Sequence, residues 1–80
     1  MFIKVKNNYI LKEIDKILKK KFDIKEKIST ETILSDLKNW DSLKQLDFIM
    51  ILEKKFEIKF QLTEMFKLKK IKQFILILKK

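Results

Sequence analysis

The sequence has no cysteine, histidine, glycine, proline, alanine or arginine. Without cysteine there is no disulfide framework, no thiolate nucleophile and no cysteine-based metal site. Without histidine, Ser/His/Asp catalysis, His-ligated zinc and imidazole acid–base chemistry are all excluded for the isolated chain. Eighty residues make one small domain, with room for one core and none for a separate catalytic lobe. A self-contained hydrolase does not fit these limits. The missing arginine removes the side chain best shaped for bidentate contacts to phosphates and base edges.

Long apolar runs are missing too. The longest uninterrupted ones, Phe48 to Leu52 and Phe74 to Leu78, fall far short of the roughly 18 residues a spanning helix requires. The start, Met1-Phe2-Ile3-Lys4-Val5-Lys6, has lysines inside its apolar stretch and no small-residue cleavage site, so it does not read as a secretory signal. A cytoplasmic monomer without a membrane span is expected.

What the chain does have is lysine, which supplies all twenty basic residues and a net charge of +9. Such a charge invites a nucleic-acid or anionic-membrane reading. The preferred reading is a lysine-rich solvated surface, with no nucleic-acid partner expected, in a composition rich in Lys, Ile and Phe such as an AT-rich coding sequence encodes. The charge is uneven: residues 1–30 carry +5, residues 31–64 carry −2 and residues 65–80 carry +6. The middle segment is an acidic island in a basic protein.

Periodicity divides the chain into elements. Ile10, Ile14, Ile17 and Leu18 follow the i, i+4, i+7, i+8 spacing of one helix face, with Leu11 beside them. This predicts a helix over about 8–21, with Asn7 or Asn8 near its N-cap; residues 2–6 alternate weakly and read as a lead-in. From Phe22 to Asp41 the period is lost. Ile24, Ile28, Ile33, Leu34, Leu37 and Trp40 are spaced as if to pin an ordered loop on the core, and Ser29-Thr30-Glu31-Thr32 is suited to cap a short helical turn before Ile33 and Leu34.

A second helix is predicted over 42–56, with Gln45, Phe48, Ile49, Leu52 and Phe56 on one face. Leu43, Leu46 and Met50 fall on another side with Asp47 and Lys54, and Glu53 lies at its border. Surplus apolar residues mixed with charges read either as a docking surface or as a second buried face. Glu57-Ile58-Lys59-Phe60 reads as a turn. A short helix follows at 61–66, with Thr63 as a cap, and a last one at 69–79 with Ile71, Phe74, Ile75 and Leu78 inward. Lys79 and Lys80 complement the negative end of its dipole. The expected architecture is an all-α four-helix bundle, with three main helices, one short third helix and a long ordered loop between helices one and two, spanning residues 1–80 as a single domain.

The residues that stand out chemically are Trp40-Asp41-Ser42-Leu43, at the mouth of the second helix. Ser42-Leu43-Lys44-Gln45 matches a capping box, so by its spacing Ser42 is a cap, with its hydroxyl presented at the helix start. Trp40 reads as a loop anchor in the core. Asp41-Ser42-Leu43, opening a helix that ends in Leu52-Glu53-Lys54-Lys55-Phe56-Glu57-Ile58, resembles the acyl carrier proteins. The likeness extends back to Asp36-Leu37 and forward to the short third helix and a final helix beginning near Lys70-Ile71, covering about residues 10 to 78.

The resemblance implies that Ser42 accepts 4′-phosphopantetheine covalently from coenzyme A, with Asp41 as part of the motif, either capping the helix or helping the modifying enzyme dock. It implies partners: a phosphopantetheinyl transferase, and enzymes that load and use acyl groups. Leu43, Leu46, Asp47, Met50 and Glu53 would form the stripe facing them. The chain would be a carrier rather than an enzyme. Members of the family usually have a glycine shortly before Asp-Ser-Leu, where this chain has Asn39-Trp40, and are usually strongly acidic. A Trp before the motif is similar to a subset of stand-alone carriers, and the paired glycines of peptidyl carriers are absent. These departures bear on cargo and pathway rather than on attachment. Two other classes fit the composition: a basic helical nucleic-acid-binding protein using Lys67, Lys69, Lys70 and Lys72, and an unmodified carrier-like interaction module, with an anionic membrane meeting its lysine-rich terminal helix.

Overall fold

The apolar stripe of the first segment forms α1, Asn7–Lys21, in the computed structural model, which describes residues 7–79. Ile10, Ile14, Ile17 and Leu18 are all buried, and Lys19, Lys20 and Lys21 sit at the negative end of the helix dipole. Asn7 and Asn8 lie within the first turn. The alternation at 2–6 and the terminal Lys80 lie outside the described residues.

α2 spans Ser42–Phe56. Of its expected core face, Gln45, Phe48, Ile49 and Leu52 are buried and Phe56 is half-buried against the core. Phe48 is the aromatic hub, with edge contacts at 5.9 Å to Trp40, 6.2 Å to Phe22 and 5.4 Å to Phe74. α3 is a short helix at Leu62–Met65 and α4 spans Ile71–Leu78. Ile71, Phe74, Ile75 and Leu78 of α4 face inward as expected. The described residues form an all-helical bundle with no strand among them, apart from one isolated bridge between Ile33 and Lys70.

The connection from 22 to 41 is ordered and pinned. Ile24, Ile28, Leu34 and Leu37 are buried, with Trp40 packed against the core. A single 3₁₀ turn covers Leu34–Asp36. The expected capping of this turn by Ser29–Thr32 is not what forms: its cap position is Ile33, without a side-chain bond. Those polar residues instead close a turn of their own, the Ser29 backbone N–H donating to Thr32 Oγ1 at 2.8 Å and that of Glu31 to Ser29 Oγ at 3.2 Å.

The loop also supplies the partners that α4 lacks at its start. Ile71 N–H donates to the Thr32 carbonyl and Lys72 N–H to that of Thr30, both at 2.9 Å, so two orphan donors of the helix end are satisfied from outside. This explains why α4 begins two residues later than predicted: Lys70 is held extended as its cap residue, and the N–H groups of Lys69 and Lys70 donate to Gln73 Oε1 at 2.7 and 2.8 Å. α3 is shorter than predicted for a similar reason. Gln61, not Thr63, is its cap residue, and Glu64 reaches back to accept the Gln61 backbone N–H at 2.9 Å.

Candidate functional site

Three residues build the entry to α2. Asn39 adopts φ 64°, the left-handed region that glycine enters most readily and asparagine tolerates best among the other residues. The chain turns there without a glycine. Trp40 follows, its ring 5.3 Å from that of Phe22 and its Nε1 donating to Gln45 Oε1 at 3.0 Å; it is the loop anchor expected. Asp41 is the N-cap, accepting the Lys44 backbone N–H at 2.9 Å.

The capping-box reading of Ser42 is therefore overturned. With Asp41 in the cap position, Ser42 is the first helical residue, and Gln45 turns inward instead of reaching back. The Ser42 side chain is exposed and makes no hydrogen bond to any described residue. A primary hydroxyl stands free at the positive end of a 15-residue helix.

Beside it lies a cleft of about 220 Å³, lined by Leu34, Ser35, Trp40, Asp41, Gln45, Phe66, Leu68 and Lys69 in addition to Ser42. The loop ahead of α2 and the segment between α3 and α4 supply its two sides. Spacing alone did not reveal Phe66, Leu68 or Leu34 as neighbours of Ser42, because they come from segments without period. The one available signal was the excess of apolar residues in a stretch too short to form a helix face.

The second side of α2 stands where the sequence put it. Leu43 and Met50 are exposed at 72% and 55%, Asp47 is exposed and Leu46 half-buried. Glu53 is half-buried, and its carboxylate accepts the Phe60 backbone N–H at 2.8 Å, which ties it into the fold. Two further apolar residues, Leu62 and Phe66 on and next to α3, are exposed at 76% and 56%, and Phe66 lines the cleft beside Ser42. The sequence reading had left them out.

Of the lysines offered for nucleic acid, Lys70 and Lys72 are engaged. Their ammonium groups lie 3.3 and 3.4 Å from Glu31 and hold its carboxyl below the usual range. Lys67 and Lys69 are exposed. No helix among the described residues is long and apolar enough to cross a membrane, and no described cluster of acidic, His or Cys side chains is placed to hold a metal ion.

The arrangement presents a hydroxyl and does not activate it: no histidine exists in the chain, and the carboxylate beside it in sequence, that of Asp41, caps the helix. It can accept a group that another enzyme delivers. No curated protein matches the sequence. The model of the phosphopantetheine attachment site family matches residues 9–78. The exposed, unbonded Ser42 hydroxyl with a cleft beside it fits the group that this family holds covalently, 4′-phosphopantetheine, and the chain belongs to that family, as a carrier domain rather than a catalyst.

Proposed function

We propose that Ser42 is the attachment point and that the protein is an acyl carrier. The observation that carries this reading is the free Ser42 hydroxyl: Asp41 does the capping, so the serine has no structural task to give up. In loading, Ser42 Oγ forms the bond to phosphorus while a base of the transferase takes its proton, and the nucleotide part of coenzyme A leaves as a bisphosphate. A phosphodiester on Ser42 would be an anion at the N-terminus of α2, where the helix dipole and the first backbone N–H groups would favour it. The thiol of the attached arm supplies the thioester chemistry when present.

The chain's own residues then hold and present the site. Asp41 fixes the start of α2, Trp40 locks the preceding loop to the core, and Leu43, Leu46, Asp47 and Met50 form the face that partner enzymes meet, with Glu53 at its far end. Lys44, Lys54 and Lys55 stand near these residues in sequence, so the partners are less basic at their docking sites than those of acidic carriers, or docking rests more on Leu46 and Met50. Modifying and acyl-handling enzymes are the partners expected.

Incubation with coenzyme A and a broadly acting phosphopantetheinyl transferase, read by intact mass, tests the attachment. One adduct is expected on the native chain and none on Ser42→Ala. Because the Ser42 side chain is exposed and unbonded, that variant should keep its stability within about 0.5 kcal/mol. No adduct on the native chain would overturn the reading.

A further inference from the structure

The cleft beside Ser42 has apolar sides that belong to the core. Leu34, Trp40 and Leu68 line it, and the same three residues pack in or against the main core cluster. An alkyl chain entering there would find a continuous apolar path inward, were it not for one side chain. That side chain is Gln45, the one buried polar residue among the described residues, exposed by 8%.

All the hydrogen-bonding directions that matter at Gln45 are used. Its Oε1 accepts from Trp40 Nε1 at 3.0 Å, and its Nε2 donates to the carbonyls of Met65 at 3.0 Å and Leu68 at 3.2 Å. The amide thus ties the loop ahead of Ser42 to the far side of the cleft. One turn further along α2 lie Phe48 and Ile49, both fully buried. To reach them, a chain must part α2 from the Met65–Leu68 segment and leave the Gln45 amide, two backbone carbonyls and the Trp40 indole N–H without partners. An alkyl chain offers no hydrogen bond in exchange, and its presence keeps out the water that could.

We propose that Gln45 closes the floor of the cleft, so that cargo carried at Ser42 stays at the surface: the protein suits short or polar acyl groups and does not enclose a long alkyl chain. The proposal rests on Ser42 as the attachment point. Gln45 acts here as a positioning residue, through the groups it ties together. The exposed ring of Phe66 at the lip gives the first carbons of a short chain an apolar contact without burial.

The test loads the full chain with acetyl- or octanoyl-4′-phosphopantetheine, using the corresponding coenzyme A thioesters and a broadly acting transferase, with loading verified by mass. Thermal melting and the rate of thioester cleavage by hydroxylamine are then compared. In the native protein the two forms should melt alike and be cleaved at rates within about twofold, since the rate scales with the exposed fraction of the thioester. Emission from Trp40, the single tryptophan, should be the same in both. In Gln45→Leu, the octanoyl thioester should be cleaved about fivefold more slowly than the acetyl one and its form should melt higher. Protection of the octanoyl form in the native protein, or a Trp40 emission change specific to it, overturns the proposal; both are read without the variant, should that fail to fold. Equal cleavage of the two forms in folded Gln45→Leu removes Gln45 from the role. Absence of any adduct fails the carrier reading itself, and is seen in the mass spectrum before any acyl comparison.

Discussion

Glu57 holds a backbone conformation that most chains give to glycine. At φ 54° and ψ 48° it ends α2 in the left-handed region, and the N–H of Ile58 closes the helix by donating to the Glu53 carbonyl at 3.2 Å. Asp23 and Asn39 take the same region at φ 54° and 64°. For a residue with a Cβ this costs about 1–2 kcal/mol, less for asparagine, whose short polar side chain suits it. Replacing Glu57 by glycine removes that strain and returns about 0.4–1 kcal/mol as extra freedom of the unfolded chain. The difference leaves Glu57→Gly stabilised by up to about 1.6 kcal/mol, each kcal/mol raising Tm by about 4–8 °C in a domain of this size. Asn39→Gly should gain less. A thermal melt ranking Asn39→Gly above Glu57→Gly would contradict the argument.

At the scale of elements, what could be read in advance was what repeats. The inward faces of α1, α2 and α4 were legible because Ile10, Ile14, Phe48, Ile49, Phe74 and Ile75 recur at helical spacing, and burial follows that period. The start of α2 was legible, but not the division of labour there: Asp41 and Ser42 both suit a cap, and only the inward turn of Gln45 towards Met65 and Leu68 decides between them. Those partners lie 20 and 23 residues away, beyond the reach of any local pattern. The late start of α4 has the same origin, since Thr30 and Thr32 act on it from the long loop. The outer face of α2 carries a prediction of its own. Leu43 and Met50 are exposed, so truncating Met50 should leave stability nearly unchanged while weakening docking. Met50→Ala and Asp47→Lys should each raise the transferase KM with kcat retained, Met50→Ala by about fivefold or more if it is an interface anchor. Unchanged loading kinetics in both variants would sink the docking face.

For the whole molecule, the titratable ties across the fold are carboxylates bonded to lysine or to backbone N–H groups, and these set how stability follows pH. Glu13 of α1 is bonded to Lys55 of α2 at 2.9 Å and to Lys16 at 3.2 Å; the Lys55 bond in particular lowers its pKa from the ordinary 4.5, against a smaller opposing effect of burial. Glu31 is lowered by Lys70 and then Lys72, joining the loop to α4. Glu26 is lowered chiefly by the backbone N–H of Lys38, which it accepts at 3.1 Å across the loop. A carboxyl lowered in the folded state binds protons more weakly there than when unfolded, so these three contribute stability above about pH 4.5 that is lost as pH falls through their lowered values. Lys55 has the opposite sign: raised from 10.5 by Glu13, it contributes fully below 10.5 and loses that contribution as pH climbs through its raised value. Between these limits the four groups leave stability flat. Acid adds a second load, because neutralising the eleven acidic residues leaves twenty lysines and a net charge of +20 in place of +9, and self-repulsion of that kind opposes the compact state. The two causes separate experimentally. The native chain should melt at a constant temperature from neutral pH down to about 5 and then progressively lower, whereas a chain carrying Glu13→Gln, Glu26→Gln and Glu31→Gln should start from a lower plateau and fall less on acidification. If the triple variant loses as many degrees as the native chain between pH 5 and 3, repulsion among the lysines rather than the loss of these three ties governs the acid limb.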